Sequence, residues 1–239
     1  MSKVWFTSDS HFSHKNTMRY CGRPFFTTDQ CDLEMIKRWN ALVKPEDTVY
    51  HIGDVALHLA PIKRILHQLN GTKILVVGNH DLMYPYFLKK KGLKFVDKMT
   101  REYLAAGFSQ ILQGPVRLNP EGYIKIRLCH FPTKNAIDNY NCKHMSSRPD
   151  DERNTLNICG HVHQNWLKHG NNVNVGVDVC NFKPVSLETI LTTWYNPSNI
   201  IGNPNPIRVR MWKLYHTAIW YGLRFKNLLL GKVNLNKNK

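Results

Sequence analysis

An α/β fold of two packed sheets with helices outside is what this sequence predicts, on three observations. Three β-rich segments alternate with two helical patterns near the start, and such alternation favours a parallel sheet with crossover helices. Later apolar segments are short and separated by turns, which suits antiparallel pairing in a second sheet. Finally, five apolar segments end in Asp, Asn or His, and open α/β sheets keep their ligand sites at the carboxyl ends of strands.

Each element has a local reason. Residues 3–8 form a β-rich buried strand that delivers Asp9 and His11 to its end. From there to Phe26 no helical period is present, so a loop over the site is expected. Thr27-Thr28-Asp29-Gln30 resembles a capping box, and Leu33, Ile36, Trp39, Asn40 and Val43 then repeat with a helical period. A second strand, 48–52, brings Gly53-Asp54. Pro61 suits the first turn of a helix carrying Ile62, Ile65, Leu66 and Leu69, and Gly71 stops it. The third strand, 73–77, runs into Gly78-Asn79-His80-Asp81. Residues 111–118 and 123–128 then read as a hairpin about the turn Asn119-Pro120-Glu121-Gly122, ending at His130. Residues 131–154 are polar and long, the mark of a lid or binding loop. Residues 156–159 lead into Gly160-His161-Val162-His163, 173–179 alternates as a strand, and 184–188 begins a short amphipathic element.

Composition excludes several classes. The 239 residues are 42% hydrophobic, enough for a full core, and no apolar run reaches the roughly 18 residues of a membrane span. No basic start followed by an apolar run marks a secretory leader, so a soluble cytoplasmic protein is expected. The six cysteines form no CxxC pair, which argues against a zinc ribbon or a disulfide framework. A net charge of +16 favours polyanionic partners or substrates, and eight of those charges follow Glu188, the last acidic residue. Three parts are expected: a domain over 1–195, a Pro/Asn-rich linker over 196–206, and a basic amphipathic extension over 207–239. In that extension Trp212, Tyr215, Ile219 and Leu223 share a helical face. It suits nucleic acid or an anionic membrane surface, or packs its aromatic face on the body.

Asp, Asn and His are ligands for hard-to-borderline divalent metals. Hydrolysis of a phosphate ester needs a nucleophile made from water near neutral pH and neutralisation of charge growing on phosphoryl oxygens. Two divalent ions about 3.5–4 Å apart supply both. One carboxylate must bridge them, and Asp54 is the natural bridge. A single His at a strand end is ordinarily a satisfied polar residue, whereas five such ends in one chain point to a shared centre.

Asp9-Ser10-His11, Gly53-Asp54, Gly78-Asn79-His80-Asp81, His130 and Gly160-His161-Val162-His163 stand in the order of the signature of the calcineurin-like metallophosphoesterase superfamily, and residues 3–190 resemble it. The segments 9–16 and 20–25 are also similar to a small bacterial and phage branch of predicted phosphoesterases. The resemblance implies a four-layer α/β/β/α sandwich of two mixed β-sheets. It further implies that Asp9, His11, Asp54 and His163 hold one metal, that Asp54, Asn79, His130 and His161 hold the other, and that His80 faces the leaving group. Manganese is the first choice for both ions, with iron, zinc, nickel and magnesium also suited. Some relatives orient the catalytic His with an acid or His three residues after the bridging Asp. Here that position is Leu57, leaving His58, His51 or Asp81 for the task.

The expected activity is hydrolysis of a phosphate mono- or diester, of a small nucleotide-like kind, by metal-bound hydroxide attacking phosphorus. His14, Asn16 and Arg23 are candidate substrate contacts, Arg23 as a bidentate phosphate clamp, with a cap or a surface turn as the plainer alternatives. Of the other classes considered, a nuclease is favoured by charge, and a non-catalytic scaffold is disfavoured because every ligand position is filled. Oligomeric state is not legible.

Overall fold

The computed structural model describes residues 2–118, 125–136 and 144–195, all within one compact unit. The linker 196–206, the extension 207–239 and the turn at 119–122 lie outside the described residues.

Two five-stranded sheets face each other. The first has the order β10 (Val185–Ser186), β1 (Val4–Thr7), β2 (Thr48–His51), β3 (Thr72–Val76) and β4 (Phe108–Leu112), parallel except for β10. The second has the order β5 (Val116–Leu118), β6 (Lys125–Leu128), β7 (Thr155–Cys159), β9 (Asn172–Asn174) and β8 (Lys168–His169). Both sheets are mixed, as the family resemblance implies.

Alternation along the strands sorts the core into two layers. Phe6, Ile52 and Val76 point between the sheets to meet Ile126, Leu128, Leu156, Ile158 and Val173. Trp5, Val49, Leu75 and Phe108 point the other way, onto Met35 and Trp39 of α2 (Thr28–Asn40), Ile62 and Ile65 of α3 (Leu59–Ile65), and Met99 and Tyr103 of α5 (Leu93–Ala106). Helix α6 (Leu187–Tyr195) sits against β1, β9 and β10, adding Ile190 to the inter-sheet core. Among the described residues, none of the helices is long and apolar enough to cross a membrane.

The start of α2 follows its capping signal. Thr27 accepts the Gln30 N–H at 3.1 Å, and the Gln30 carboxamide accepts the Phe26 N–H at 3.0 Å. Thr27→Ala is therefore expected to cost about 1 kcal/mol in a denaturant titration.

Four expectations are corrected, and two helices that the sequence pattern does not show are added. The loop before Phe26 contains a helix, α1 (Lys15–Tyr20), too short to show a period. Between residues 81 and 108 lie two helices, α4 (Pro85–Lys91) and α5, separated by Gly92 at φ +80°; the lysine-rich α4 buries no residue and hides the pattern. The run 111–118 is split between the sheets, ending β4 at Leu112 and beginning β5 at Val116. The second half is not antiparallel throughout, because β6, β7 and β9 run parallel. The long 131–154 connection carries the chain back to the start of β7, which permits parallel pairing. The expected strand 173–179 is only β9 in the second sheet; Gly176 then bridges to Ser8 of the first.

Candidate metal centre

The strand ends converge where the two sheets share an edge of loops. Asp9 and His11 follow β1, Asp54 follows β2, Asn79 and His80 follow β3, His130 follows β6, and His161 and His163 follow β7. Five of the seven candidate ligands, Asp9, His11, Asp54, His161 and His163, have φ between 46° and 68°. Left-handed backbone in a non-glycine residue costs about 1–3 kcal/mol and persists where surrounding structure over-determines it. Gly53 (φ +83°) and Gly160 make the approach possible. A Cβ on Gly53 would lie 2.6 Å from Gly78, and one on Gly160 would collide with Ser8 and the Asp9 carboxylate.

Asp54 is at the middle. Its Oδ1 accepts the His80 backbone N–H at 2.8 Å, and its Oδ2 lies 3.5 Å from His11 Nε2 and 3.4 Å from His130 Nε2. Asn79 Oδ1 stands 3.0 Å from both His130 Nε2 and His161 Nδ1. On the other flank His163 Nε2 is 4.0 Å from Asp9 Oδ1. Two donors sharing an ion at about 2.1 Å each stand about 3–3.5 Å apart, so the spacing suits divalent metals. The sets Asp9, His11, His163 and Asp9, Asp54, His130 each place their donor atoms within 4.8 Å of one another. Both ring nitrogens of His11 are buried without a hydrogen-bond partner, a cost that a bound cation at Nε2 would offset.

The backs of the imidazoles are held by the fold. His130 Nδ1 donates to the Ile52 carbonyl at 2.8 Å, fixing Nε2 toward Asp54, and His163 Nδ1 donates to Asp178 at 2.8 Å, fixing Nε2 toward Asp9. Asp9 also accepts the His161 backbone N–H at 3.0 Å, joining the first and second sheets. Burial alone would raise the Asp54 pKa, but His130 and His11 hold it well below the carboxylate range. Burial would lower His130, yet Asp54 lifts it to about 9. Burial, with His130 beside it, drives His161 well below the usual imidazole value, and burial does the same to His11. His11 and His161 thus favour the neutral form that binds a cation, whereas the carboxylate beside His130 favours its protonated form, whose proton a bound cation would displace.

Other site expectations meet mixed outcomes. His80 is exposed at the rim, its ring edge-on to His11 with centroids 5.4 Å apart. His14 reaches the same rim, 5.6 Å from the His11 ring, with Nδ1 on the Thr17 hydroxyl. Asn16 is exposed in α1, with no contact to the cluster among the described residues. None of the three candidates orients His80 among the described residues. Asp81 spends its carboxylate on the N–H groups of Gly78, Asp54 and Val55, His51 pairs with Ser10, and His58 is exposed without a ring contact to His80. Asp81 thereby ties the GD turn to the GNHD turn; burial and nearby Asp54 push it up to about 7.

Arg23 is a correction. It is 1% exposed, and its guanidinium is committed to Asp178 at 2.8 and 3.2 Å and to the carbonyls of Ser10 and Asp9 at 2.8 and 2.7 Å. It clamps the loop that carries Asp9 and has no free face for a substrate phosphate. Asp178, which sequence reasoning passes over, joins Arg23 to His163. Its one local mark is a carboxylate within the otherwise apolar run 175–180. Arg23 and His163 hold it well below the carboxylate range against burial.

The chain is similar to several known proteins. An uncharacterized protein of Methanocaldococcus jannaschii is 32% identical over 206 residues, covering 80% of this chain and 90% of that one. The gene 66 protein of Mycobacterium phage L5 is 27% identical over 188 residues, covering 74% and 87%. The crystal structure of a protein of unknown function from Aquifex aeolicus superposes with a TM-score of 0.58 at 25% identity, covering 80% of this chain and 99% of that one. The model of the calcineurin-like phosphoesterase family matches residues 2–184, which takes in every residue of the cluster. The chain belongs to the calcineurin-like phosphoesterase family.

Proposed function

We propose that the protein is a dinuclear metal-dependent phosphoesterase. The observation that carries this reading is the place of Asp54 Oδ2, 3.5 Å from His11 Nε2 and 3.4 Å from His130 Nε2, histidines of two donor sets that share Asp9. Asp9, His11, Asp54 and His163 would hold one ion, and Asp54, Asn79, His130 and His161 the other. Two divalent ions, when bound, lower the pKa of water toward neutrality and neutralise charge on the phosphoryl oxygens. Manganese is our first choice, since the carboxylate and carboxamide oxygens suit it, while the imidazoles also suit iron, zinc or nickel.

The chain's own residues supply the rest. His80 stands at the open rim, where its imidazole can give a proton to, or hold charge on, a departing oxygen. Asp54 Oδ1 anchors the His80 backbone and so ties that rim to the centre. Asp178 keeps His163 in the tautomer that presents Nε2 to the cluster, as the Ile52 carbonyl does for His130.

The test is hydrolysis of p-nitrophenyl phosphate and bis-p-nitrophenyl phosphate by manganese-loaded protein, with a chelator control and an Asn79→Ala variant. Activity on either ester is expected, abolished by chelation and lowered at least about a hundredfold in Asn79→Ala. Inactivity on both esters with two metals bound per chain would favour the scaffold reading. The charge of +16 keeps a nuclease as the second reading. It predicts DNA or RNA binding that weakens steeply with salt.

A further inference from the structure

The aromatic contacts of the centre fall into two wings. His11 is in ring contact with His14, His80 and His163, whereas His161 is in ring contact with His130, Phe131 and His144. The wing that holds His80 is the one where a leaving group would depart. Beside the other wing lies a cleft of about 260 Å³ with His130 in its wall.

Val77 and Phe131 form its apolar floor, and Tyr84, Gln113, Pro115 and Ser147 surround it. The Tyr84 hydroxyl lies 2.7 Å from the Ser147 hydroxyl and 3.3 Å from His144 Nδ1, and the exposed Gln113 carboxamide donates to the Met83 carbonyl at 3.3 Å, which leaves its Oε1 as an acceptor. Among the described residues lining it, none is Lys, Arg, Asp or Glu. A neutral occupant therefore meets no unpaired Lys, Arg, Asp or Glu among these residues. The half-buried Tyr84 and exposed Pro115, above the buried Phe131, suit a planar ring. The volume is below the roughly 300–1,000 Å³ of sites that enclose drug-sized ligands, so it takes one ring system.

We infer that this cleft seats a second ester substituent on phosphorus, so that the substrate is a phosphodiester with one uncharged aromatic or heteroaromatic arm beside His130 and its leaving group beside His80. The inference rests on the phosphoesterase reading above and adds what that reading leaves open, diester over monoester and the chemistry of the retained arm.

Two esters with the same leaving group test it on the manganese-loaded full chain: bis-p-nitrophenyl phosphate, whose retained arm is a ring, and methyl p-nitrophenyl phosphate, whose retained arm cannot fill the cleft. In the unaltered protein the methyl ester is expected to have a KM about tenfold or more above the aryl diester, from loss of ring burial. Gln113→Trp and Ser147→Trp narrow the cleft from two sides. Each is expected to lower the ratio of kcat/KM, aryl over methyl, by about tenfold, and intrinsic reactivity cancels in that comparison. Equal KM values in the unaltered protein, or an unchanged ratio in either folded variant, would overturn the cleft assignment. Hydrolysis of p-nitrophenyl phosphate with neither diester cleaved would overturn it while leaving the phosphoesterase standing. Inactivity on all three esters with two metals bound would sink both.

Discussion

Asp54→Asn is expected to lower phosphoesterase activity by at least about a thousandfold, equal to about 4 kcal/mol of transition-state stabilisation, and to lower the metal content of purified protein. The substitution preserves shape and an Oδ1 that can still accept the His80 N–H, now made at 2.8 Å. What it removes is the charge facing His11 and His130 at 3.5 and 3.4 Å. Elemental analysis separates two outcomes. Loss of both ions with retained secondary structure is the expected result. Full metal content and unaltered turnover would show that Asp54 is a buried structural carboxylate, since a bridging ligand cannot be lost without changing occupancy or charge.

Arg23→Met should destabilise the fold by about 3–5 kcal/mol in denaturant unfolding, because it leaves the buried Asp178 carboxylate without its guanidinium. It also removes the donors to the Asp9 and Ser10 carbonyls, which set the path of the loop into the centre. Replacing both partners, Arg23→Met with Asp178→Leu, is expected to recover part of that stability, since a buried ion pair exchanged for packed apolar groups is often near neutral. Metal affinity should not recover. His163 would still lack the acceptor that holds its Nδ1 at 2.8 Å, and lost orienting partners cost about 10–100-fold in affinity. A double variant that regained both stability and metal affinity would show that Asp178 has no part in orienting His163.

The two effects belong to different layers of the site. Asp54 acts where donors converge, and Arg23 acts beneath, by holding a strained loop in place. Asp9, His11 and Asp54 all sit at positive φ, so the loops that carry them need external restraint. Arg23 restrains the first of these loops and Asp81 the second, through backbone carbonyls and N–H groups respectively.

What the sequence by itself determined is the set of strand ends and the residues on them. An apolar strand ending in Asp, Asn or His, with a glycine just before it at Gly53, Gly78 and Gly160, is a local pattern. The buried strand and the turn are encoded within six or seven residues, so Asp9, His11, Asp54, Asn79, His130, His161 and His163 were legible, as was the capped start of α2. Tertiary structure alone decided the contacts between distant segments. Arg23 and Asp178 are 155 residues apart, and nothing near Arg23 marks it as buried. The parallel pairing of β6, β7 and β9 depends on where the long connection returns, and the cleft beside His130 on five segments that lie apart in sequence. Local sequence specifies dihedral preferences and the faces that must leave water, whereas the partner that compensates a buried charge is set by how those faces pack together.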